Sequence, residues 1–288
     1  MAGQSRKVKT RIVATKKTAQ ITKAMNMVSA SKLKSAGNAI KEYRPFIAKT
    51  RDIIVHLASN DSSLKHPLME KRPIKNICYL LISSDRGLAG AFNSNVCKEL
   101  TKKINKLNKN IGFYILPIGF KAYVYTKKQK YPLLEDKIIN IRDNIEFGEI
   151  SGIIEVIIKN YLLGNIDEVV VIYNHYKNTL IQEIKTDIVL PIENNDSKDS
   201  LTNYEFDGEV QEILNTALPI YIENTIYSYI LDSKASEHAA RMNSMKSATD
   251  NANDVIASLE LLYNRARQAA ITLELTDIVG GASVVNDN

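Results

Sequence analysis

Tryptophan is absent from this 288-residue chain, and aromatic residues make up only 7% of it, so aromatic platforms for stacking ligands are scarce. No segment approaches the roughly 18 consecutive apolar residues of a transmembrane helix. The two cysteines, Cys78 and Cys97, belong to no CxxC or Cys/His pattern. This argues against a metal site or a disulfide framework, and it fits a reducing cytoplasm.

Motifs that carry chemistry are also few. The four histidines, His56, His66, His175 and His238, are scattered without metal-ligand spacing, and no GxSxG or HExxH motif occurs. The segment SSDRGLAGAFN (83–93) has a GxxG pattern instead of the GxGxxG of dinucleotide sites. A tight turn between strand and helix, capped by Asp85 or Ser84, is the favoured interpretation, and a nucleotide-binding enzyme is the weaker one. We therefore expect no catalytic residue, no metal ligand and no cofactor.

Acidic residues are nearly missing from the first fifty positions, which hold twelve Lys or Arg and one acid, Glu42. The net charge of this segment is 12 − 1 = +11, so the rest of the chain carries 6 − 11 = −5. Such a segment attracts an acidic partner: nucleic acid, anionic lipid or an acidic protein surface. A merely solvated helix face is the plain alternative. An organelle transit peptide is disfavoured, because no cleavage pattern follows and the helical pattern continues.

Helix breakers are rare at both ends of the chain. Residues 1–58 contain glycine only at Gly3 and Gly37 and proline only at Pro45, which we expect to kink or end the helix. Small residues dominate this segment, with larger apolar groups at Ile12, Ile21, Met25, Val28 and Leu33. The pattern predicts a long helix with a slim packed side that a partner helix can approach closely.

Steps of three and four residues recur in the C-terminal segment, where glycine and proline are missing between Pro219 and Gly280. The positions are Met242, Met245, Thr249, Ala252, Ile256, Leu259, Tyr263, Ala266, Ala270 and Leu273. Nine of these ten residues are apolar or aromatic, over more than four heptads, which is typical of a coiled-coil seam. This segment predicts a second long helix.

The middle of the chain alternates between strand and helix patterns. Apolar or alternating runs at Ile77–Ser83, Ile111–Ile118, Glu168–Tyr173 and Leu180–Leu190 predict strands, and Asn93–Leu107 and 149–163 predict helices. This alternation indicates βαβ units and a mainly parallel sheet. The predicted fold class is α/β: an antiparallel coiled coil of the long N- and C-terminal helices with an inserted Rossmann-like α/β domain. The predicted boundaries are a shaft helix at 1–58, an α/β domain at 74–192, a polar linker at 193–208 and a second shaft helix at 209–288.

Four collinear blocks resemble the gamma subunits of F-type ATP synthases. They are MAGQSRKVKTRI with TKKTAQITKAMNMVSASKLKSA (1–36), SSDRGLAGAFN (83–93), SEHAARMNSMKSATDNANDVI (236–256) and LLYNRARQAAITLELTDIVGGAS (261–283). The match at Met1 favours a bacterial chain over an imported mitochondrial one. The resemblance implies a central-stalk rotor subunit that transmits ion-driven rotation of a membrane c ring to a catalytic head. It implies no active site in this subunit itself.

The implied partners are three alpha and three beta subunits, the epsilon subunit and the c ring, with one copy of this chain per complex. The resemblance implies a peripheral position on the cytoplasmic face of the bacterial plasma membrane, with contact to the membrane only through the ring and no nucleic-acid partner. A coiled-coil protein that binds nucleic acid through its basic segment is the alternative from another class, and its affinity would fall steeply with salt.

Site residues follow from the same resemblance, position by position. Lys23 and Met25 lie in the family's KAM motif, which is expected to face an acidic lever of a beta subunit. Arg267, Gln268 and Thr272 match positions that hydrogen-bond a loop of the head, and Arg241 matches the arginine of the AARM motif, expected to contact the head as well. Tyr204 and Glu205 match a foot segment that faces the c ring.

Overall fold

The computed structural model describes residues 2–60, 66–143, 148–192 and 210–286. Two helices at the ends of the chain are its longest elements, α1 (Ala2–Asn60) and α5 (Val210–Asn286). Between them lie, in chain order, β1 (Asn76–Ile82), α2 (Phe92–Asn105), β2 (Gly112–Ile118), α3 (Phe120–Gln129), α4 (Gly148–Leu162), β3 (Glu168–Tyr176) and β4 (Gln182–Leu190). The two long terminal helices and the alternating centre were predicted from the sequence, and the structure confirms them.

The chain divides into two compact units, and both long helices contribute to each. The helix-pair unit comprises Met1–Val28 and Met242–Asn288, and the α/β unit comprises Ser29–Arg241. Glycine and proline are rare in the terminal segments, and the prolines inside the helices, Pro45 and Pro219, do not end them. Each helix therefore continues from one unit into the other.

The α/β unit is built on a four-stranded sheet with the order β2-β1-β3-β4. β1 pairs in parallel with β2 and with β3, whereas the edge strand β4 pairs antiparallel with β3. Parallel neighbours need crossover connections, which α2 and the segment containing α3 and α4 supply. The sheet is thus mixed but mainly parallel.

Both faces of the sheet are covered by helices, and alternate residues of β1 enter the two cores on either side. Cys78, Leu80 and Ile82 enter one core, together with apolar residues of α4 and α5. Ile77, Tyr79 and Leu81 enter the other core, with apolar residues of α2. Successive side chains of a strand point to opposite faces, so a continuous apolar run is what a strand buried on both sides requires.

Two expectations need correction. Pro45 does not end α1, which runs on to Asn60, and a kink at this residue stays a prediction. Pro45 is exposed, so water can satisfy the carbonyl that loses its intrahelical partner. The sequence analysis also missed α3, whose ten residues are too short for a clear helical period. The predicted linker, 193–208, lies outside the described residues.

Candidate functional site

The helix-pair unit is held together by a narrow row of side chains on α1. Its buried or half-buried members recur every three or four residues: Val8, Ile12, Thr15, Ala19, Thr22, Asn26 and Ser29, the last of which begins the α/β unit. On α5 the predicted seam positions from Met242 to Ala270 are all buried or half-buried. Leu273 is the exception, with 49% of its surface exposed. Nine of the ten positions predicted for the α5 seam are therefore buried or half-buried.

Three polar contacts fix the direction and register of the two helices. The Thr22 and Thr249 hydroxyls lie 2.7 Å apart, and the Asn26 amide donates to the Met242 carbonyl at 2.7 Å. Lys16 Nζ lies 2.7 Å from Glu260 Oε1. As the residue number rises on α1 it falls on α5, so the helices run antiparallel here.

Several apolar side chains are exposed on the side of α1 opposite this row, next to charged ones such as Lys17. Val13, Ile21 and Val28 are exposed by 49%, 61% and 54%. At 100° per residue they point away from Ala19 and Thr22. Ile21 and Val28 were predicted among the apolar groups of a slim packed side, but both are exposed, and the packed row instead combines small residues with Val8 and Ile12. Apolar residues that recur on one exposed face are typical of a surface that a partner covers.

The predicted head contacts lie on both helices of this unit, apart from Arg241. Lys23 is exposed and Met25 is half-buried on α1. Arg267, Gln268 and Thr272 are exposed on α5, where the Thr272 hydroxyl donates to the Gln268 carbonyl of the preceding turn at 3.0 Å. The foot residues Tyr204 and Glu205 lie outside the described residues.

The segment 83–93 ties three parts of the α/β unit together. Asp85 accepts hydrogen bonds from the Phe120 and Ile141 amides, both at 2.8 Å. Ser84 and Asn93 bond each other through the Ser84 amide and both side chains. Asp85 therefore caps the start of α3, whereas the sequence analysis expected a cap within its own turn. A carboxylate already occupies this position, which disfavours a phosphate here.

Arg241 and three further ionisable residues on the same face of α5 are buried in the α/β unit. Lys234, Glu237, His238 and Arg241 expose only 5%, 3%, 2% and 8% of their surfaces. The Glu237 carboxylate lies 2.7 Å from the Arg241 guanidinium and 3.1 Å from Lys234 Nζ. The Arg241 guanidinium also donates to the Gly87 carbonyl at 3.3 Å, which links α5 to the 83–93 segment.

Asp143 joins this group from the segment that follows Ile141. Its carboxylate lies 2.5 Å from Lys32 Nζ on α1, 3.6 Å from Lys234 Nζ and 3.5 Å from His238 Nε2. Ser236 adds a buried hydrogen bond to the Asn174 carbonyl of β3 at 2.9 Å. We call Asp143, Lys234, Ser236, Glu237, His238 and Arg241 the polar clamp.

Burial and charge act on the titration of the clamp. Burial lowers the pKa of His238 below its ordinary value, against the nearby charges of Glu237 and Asp143, which raise it. For Asp143, partial burial raises the pKa, but the hydrogen bond from Lys32 and the charge of Lys234 outweigh it, so the pKa lies below its ordinary value. The clamp therefore favours a neutral imidazole and an ionised carboxylate.

Sequence reasoning did not single out Lys234, Glu237 or Asp143, and it weighed His238 only as an exposed or packed imidazole. Positions 234, 237, 238 and 241 share one helix face, but this spacing alone does not show whether the face is buried. Among residues 2–60, 66–143, 148–192 and 210–286, no cluster of His, Cys, Asp or Glu could hold a metal ion. In the same ranges no helix combines the length and the apolar character needed to cross a bilayer.

Comparisons with known proteins agree on one family. The family described as ATP synthase matches residues 4–285. ATP synthase gamma chains from Staphylococcus saprophyticus and Macrococcus caseolyticus are 42% and 43% identical to this chain. Each alignment covers 97% of this chain and 98% of the relative.

Solved structures of similar fold come from mitochondrial ATP synthases. A chain of the central stalk and c-ring of the Tetrahymena thermophila enzyme is 29% identical, with a TM-score of 0.62, and the match covers 79% of this chain and 99% of that one. A chain of the Euglena gracilis enzyme has a TM-score of 0.66 at 19% identity, and the match covers 99% of this chain and 95% of that one. The second likeness bears on the fold alone.

Proposed function

Since the chain belongs to the ATP synthase gamma chain family and is the rotor stalk subunit of an F-type ATP synthase, we propose that it transmits rotation mechanically and has no active site of its own. Ion flow would turn a membrane c ring and this chain with it, and the chain would drive the catalytic sites of an alpha/beta head through their states. Hydrolysis of ATP by the head would drive the same rotation in reverse.

The observation that carries this proposal is the shape and surface of the helix-pair unit. Small residues such as Ala19, Thr22 and Ala252 fill its interior, so the two helices can lie close together and the pair stays thin. Its outer surface presents apolar side chains at Val13, Ile21 and Val28. A thin rod with exposed apolar side chains among its charged ones suits a bore that encloses it, because non-directional contacts oppose turning less than hydrogen bonds do. We infer that this unit is an antiparallel coiled coil.

Head contacts are proposed for the exposed residues of this unit. Lys23 and Met25 would face an acidic lever of a beta subunit, and Arg267, Gln268 and Thr272 would offer hydrogen bonds to a loop of the head. Arg241 is placed differently, because its guanidinium already bonds Glu237 and Gly87 within the chain. For Arg241 we propose a positioning role inside the chain, and contact with the head stays a prediction for the assembled complex.

The assembly is proposed as one copy of this chain with three alpha subunits, three beta subunits, one epsilon subunit and a c ring. Tyr204 and Glu205 would contact the ring, and the sheet of the α/β unit, which we infer to be Rossmann-like, would support the rotor partners. The division into a shaft helix (1–58), a domain (74–192), a linker (193–208) and a second shaft helix (209–288) is proposed on the same basis. The complex would lie at the cytoplasmic face of a bacterial plasma membrane, with this chain peripheral to it.

Reconstitution tests the proposal. The purified chain should hydrolyse no ATP, and hydrolysis coupled to rotation should arise on mixing it with alpha and beta subunits of the same organism. Turnover by the purified chain alone would contradict a purely mechanical role. Isolation of the complex through a tag on this chain, followed by mass spectrometry, checks the partners and their copy numbers.

A further inference from the structure

A short stretch of α5, residues 232–241, is attached to the rest of the α/β unit by directional polar bonds. Asp232 accepts from the Tyr176 amide at 2.8 Å and lies 2.5 Å from His175 Nδ1. Ser236 donates to the Asn174 carbonyl, and Arg241 donates to the Gly87 carbonyl. Bonds therefore recur at about one per helical turn, to strand β3 and to the 83–93 segment.

The preceding part of α5 is attached in a different way. Leu214, Leu218, Ile222, Ile226 and Ile230 are buried in the same core and recur every fourth residue. Because these side chains are similar in size and evenly spaced, a shift of α5 by one turn would place most of them in the site of the next. Apolar contact holds such a helix against the core, but it sets the axial position of the helix only weakly.

Buried ionic groups seldom add stability over an apolar packing of the same volume, because burial removes them from water. Their better-attested effect is to specify one register, as a single polar residue does in a coiled coil. Glu237 lies at the centre of the clamp, where its carboxylate forms ion pairs with both Lys234 and Arg241. A helix displaced by one turn would keep these pairs, which lie within α5, but it would separate Lys234 from Asp143 and Arg241 from the Gly87 carbonyl. Charged groups would then be buried without the partners that the other elements supply.

We propose that the polar clamp fixes the register of α5 and carries torque from the α/β unit into the helix through the bonds of Lys234, Ser236 and Arg241 to other elements. Glu237 acts as a positioning residue, because it orients Lys234 and Arg241 toward those partners. Asp143 extends the clamp to α1, because it binds Lys32 as well as Lys234. Both long helices are thereby held to the α/β elements by bonds that resist sliding and turning. This inference rests on the proposed mechanical function.

The experiment compares torsional stiffness in the assembled head with the full chain. The head is fixed to a surface, and a gold particle is attached through Lys128→Cys, an exposed position at the end of α3. Cys78 and Cys97 are buried, so the new thiol is the accessible one among the described residues. The angular spread of the particle during a catalytic pause reports the stiffness between the α/β unit and the head.

Two clamp variants and one control are compared with the parent chain. Glu237→Gln removes the central charge, and Ser236→Ala removes one hydrogen bond with little change in volume. Lys177→Ala breaks the exposed ion pair between Lys177 and Glu183 in the same unit and serves as the control. We expect a broader angular distribution, that is a loss of stiffness, in both clamp variants and no change in the control.

An unchanged angular spread in the clamp variants would overturn the inference, and so would equal broadening in the control. If Glu237→Gln fails to assemble, the result for Ser236→Ala decides alone. A clamp that served only folding would lower the yield of complex without altering the spread in the molecules that assemble. Failure of the mechanical function itself would differ, because the parent chain would then show no rotation.

Discussion

At the residue scale, Gly119 occupies a position that no other residue fits. Its φ is +95°, and a Cβ added there would lie 2.3 Å from the Ser83 carbonyl oxygen. Ser83, which follows β1, also binds α3, because its hydroxyl accepts a hydrogen bond from the Ala122 amide at 2.7 Å. The turn from β2 into α3 is thus closed against the neighbouring strand.

Gly119→Ala should destabilise the fold by about 3 kcal/mol, because it combines a strained φ with a backbone clash. Gly152→Ala is the matched control: this glycine lies within α4, and a Cβ there meets nothing within 4 Å. The control should be neutral or stabilising by up to about 1 kcal/mol. Urea unfolding followed by circular dichroism measures both. Equal losses in the two variants would contradict the argument.

His238 makes a second prediction at this scale. Burial lowers its pKa below the ordinary value of 6.5 and lowers that of His66 likewise. The folded protein therefore binds these protons less readily than the unfolded chain does. The stability that depends on the neutral imidazoles is fully present above about pH 6.5 and declines as the pH falls towards the lowered pKa values.

We expect the free energy of unfolding to fall between about pH 7.5 and about pH 5.5. The fall should be smaller in His238→Gln and in His66→Gln, and smallest in the double variant. Lys177→Gln, an exposed change, should leave it as in the parent chain. A His238→Gln variant with the full pH dependence of the parent would show that the buried imidazole does not titrate in this range.

At the element scale, the packed row of α1 depends on small side chains. Ala19 exposes only 8% of its surface against α5. Ala19→Leu should separate the two helices and lower the free energy of unfolding by about 1–3 kcal/mol, as overpacking does in other cores. Ala24→Leu, an exposed change on the same helix, should have little effect. Thermal unfolding followed by circular dichroism compares them, and equal melting temperatures would contradict a closely packed row.

The two long helices also show which buried positions can be predicted from the sequence. On α5, apolar residues recur on one face, and the predicted positions from Met242 to Ala270 are buried or half-buried. Leu273 is exposed because it lies near the end of α1. Lys16 pairs with Glu260, so Leu273 lies near the first turn of α1, where few α1 residues remain to cover it. On α1, apolar residues occur on opposite faces, and the pattern could not tell Ile21, which is exposed, from Ala19, which is buried.

The polar clamp could not be predicted from the sequence, for a related reason. Charged residues on a helix are usually solvated, and periodicity alone does not distinguish a solvated charged face from a buried one. Only the fold brings Asp143 and Gly87 to the face that carries Glu237 and Arg241. By contrast, the strands of the α/β unit were predictable, because runs such as Ile77–Ile82 are apolar on both faces.

At the scale of the whole molecule, charge is divided unevenly along the chain. Residues 1–50 carry +11 and the remaining residues −5, and several lysines of the helix-pair unit, Lys9, Lys17 and Lys23 among them, are exposed. An acidic bore in the head would attract this end of the chain first. Association of such surfaces is faster at low ionic strength, because salt screens exposed charges.

Lys23→Gln should slow association of the chain with the alpha/beta head by about twofold at low salt, and the difference should vanish near 0.5 M salt. Lys109→Gln removes the same charge from an exposed site in the α/β unit and is the control. Stopped-flow fluorescence at several salt concentrations gives both rates. If the two variants slowed association equally, net charge alone would account for the effect, and a directed approach of the helix pair would be excluded. A slower rate only for Lys23→Gln would show that the basic helix enters the head first.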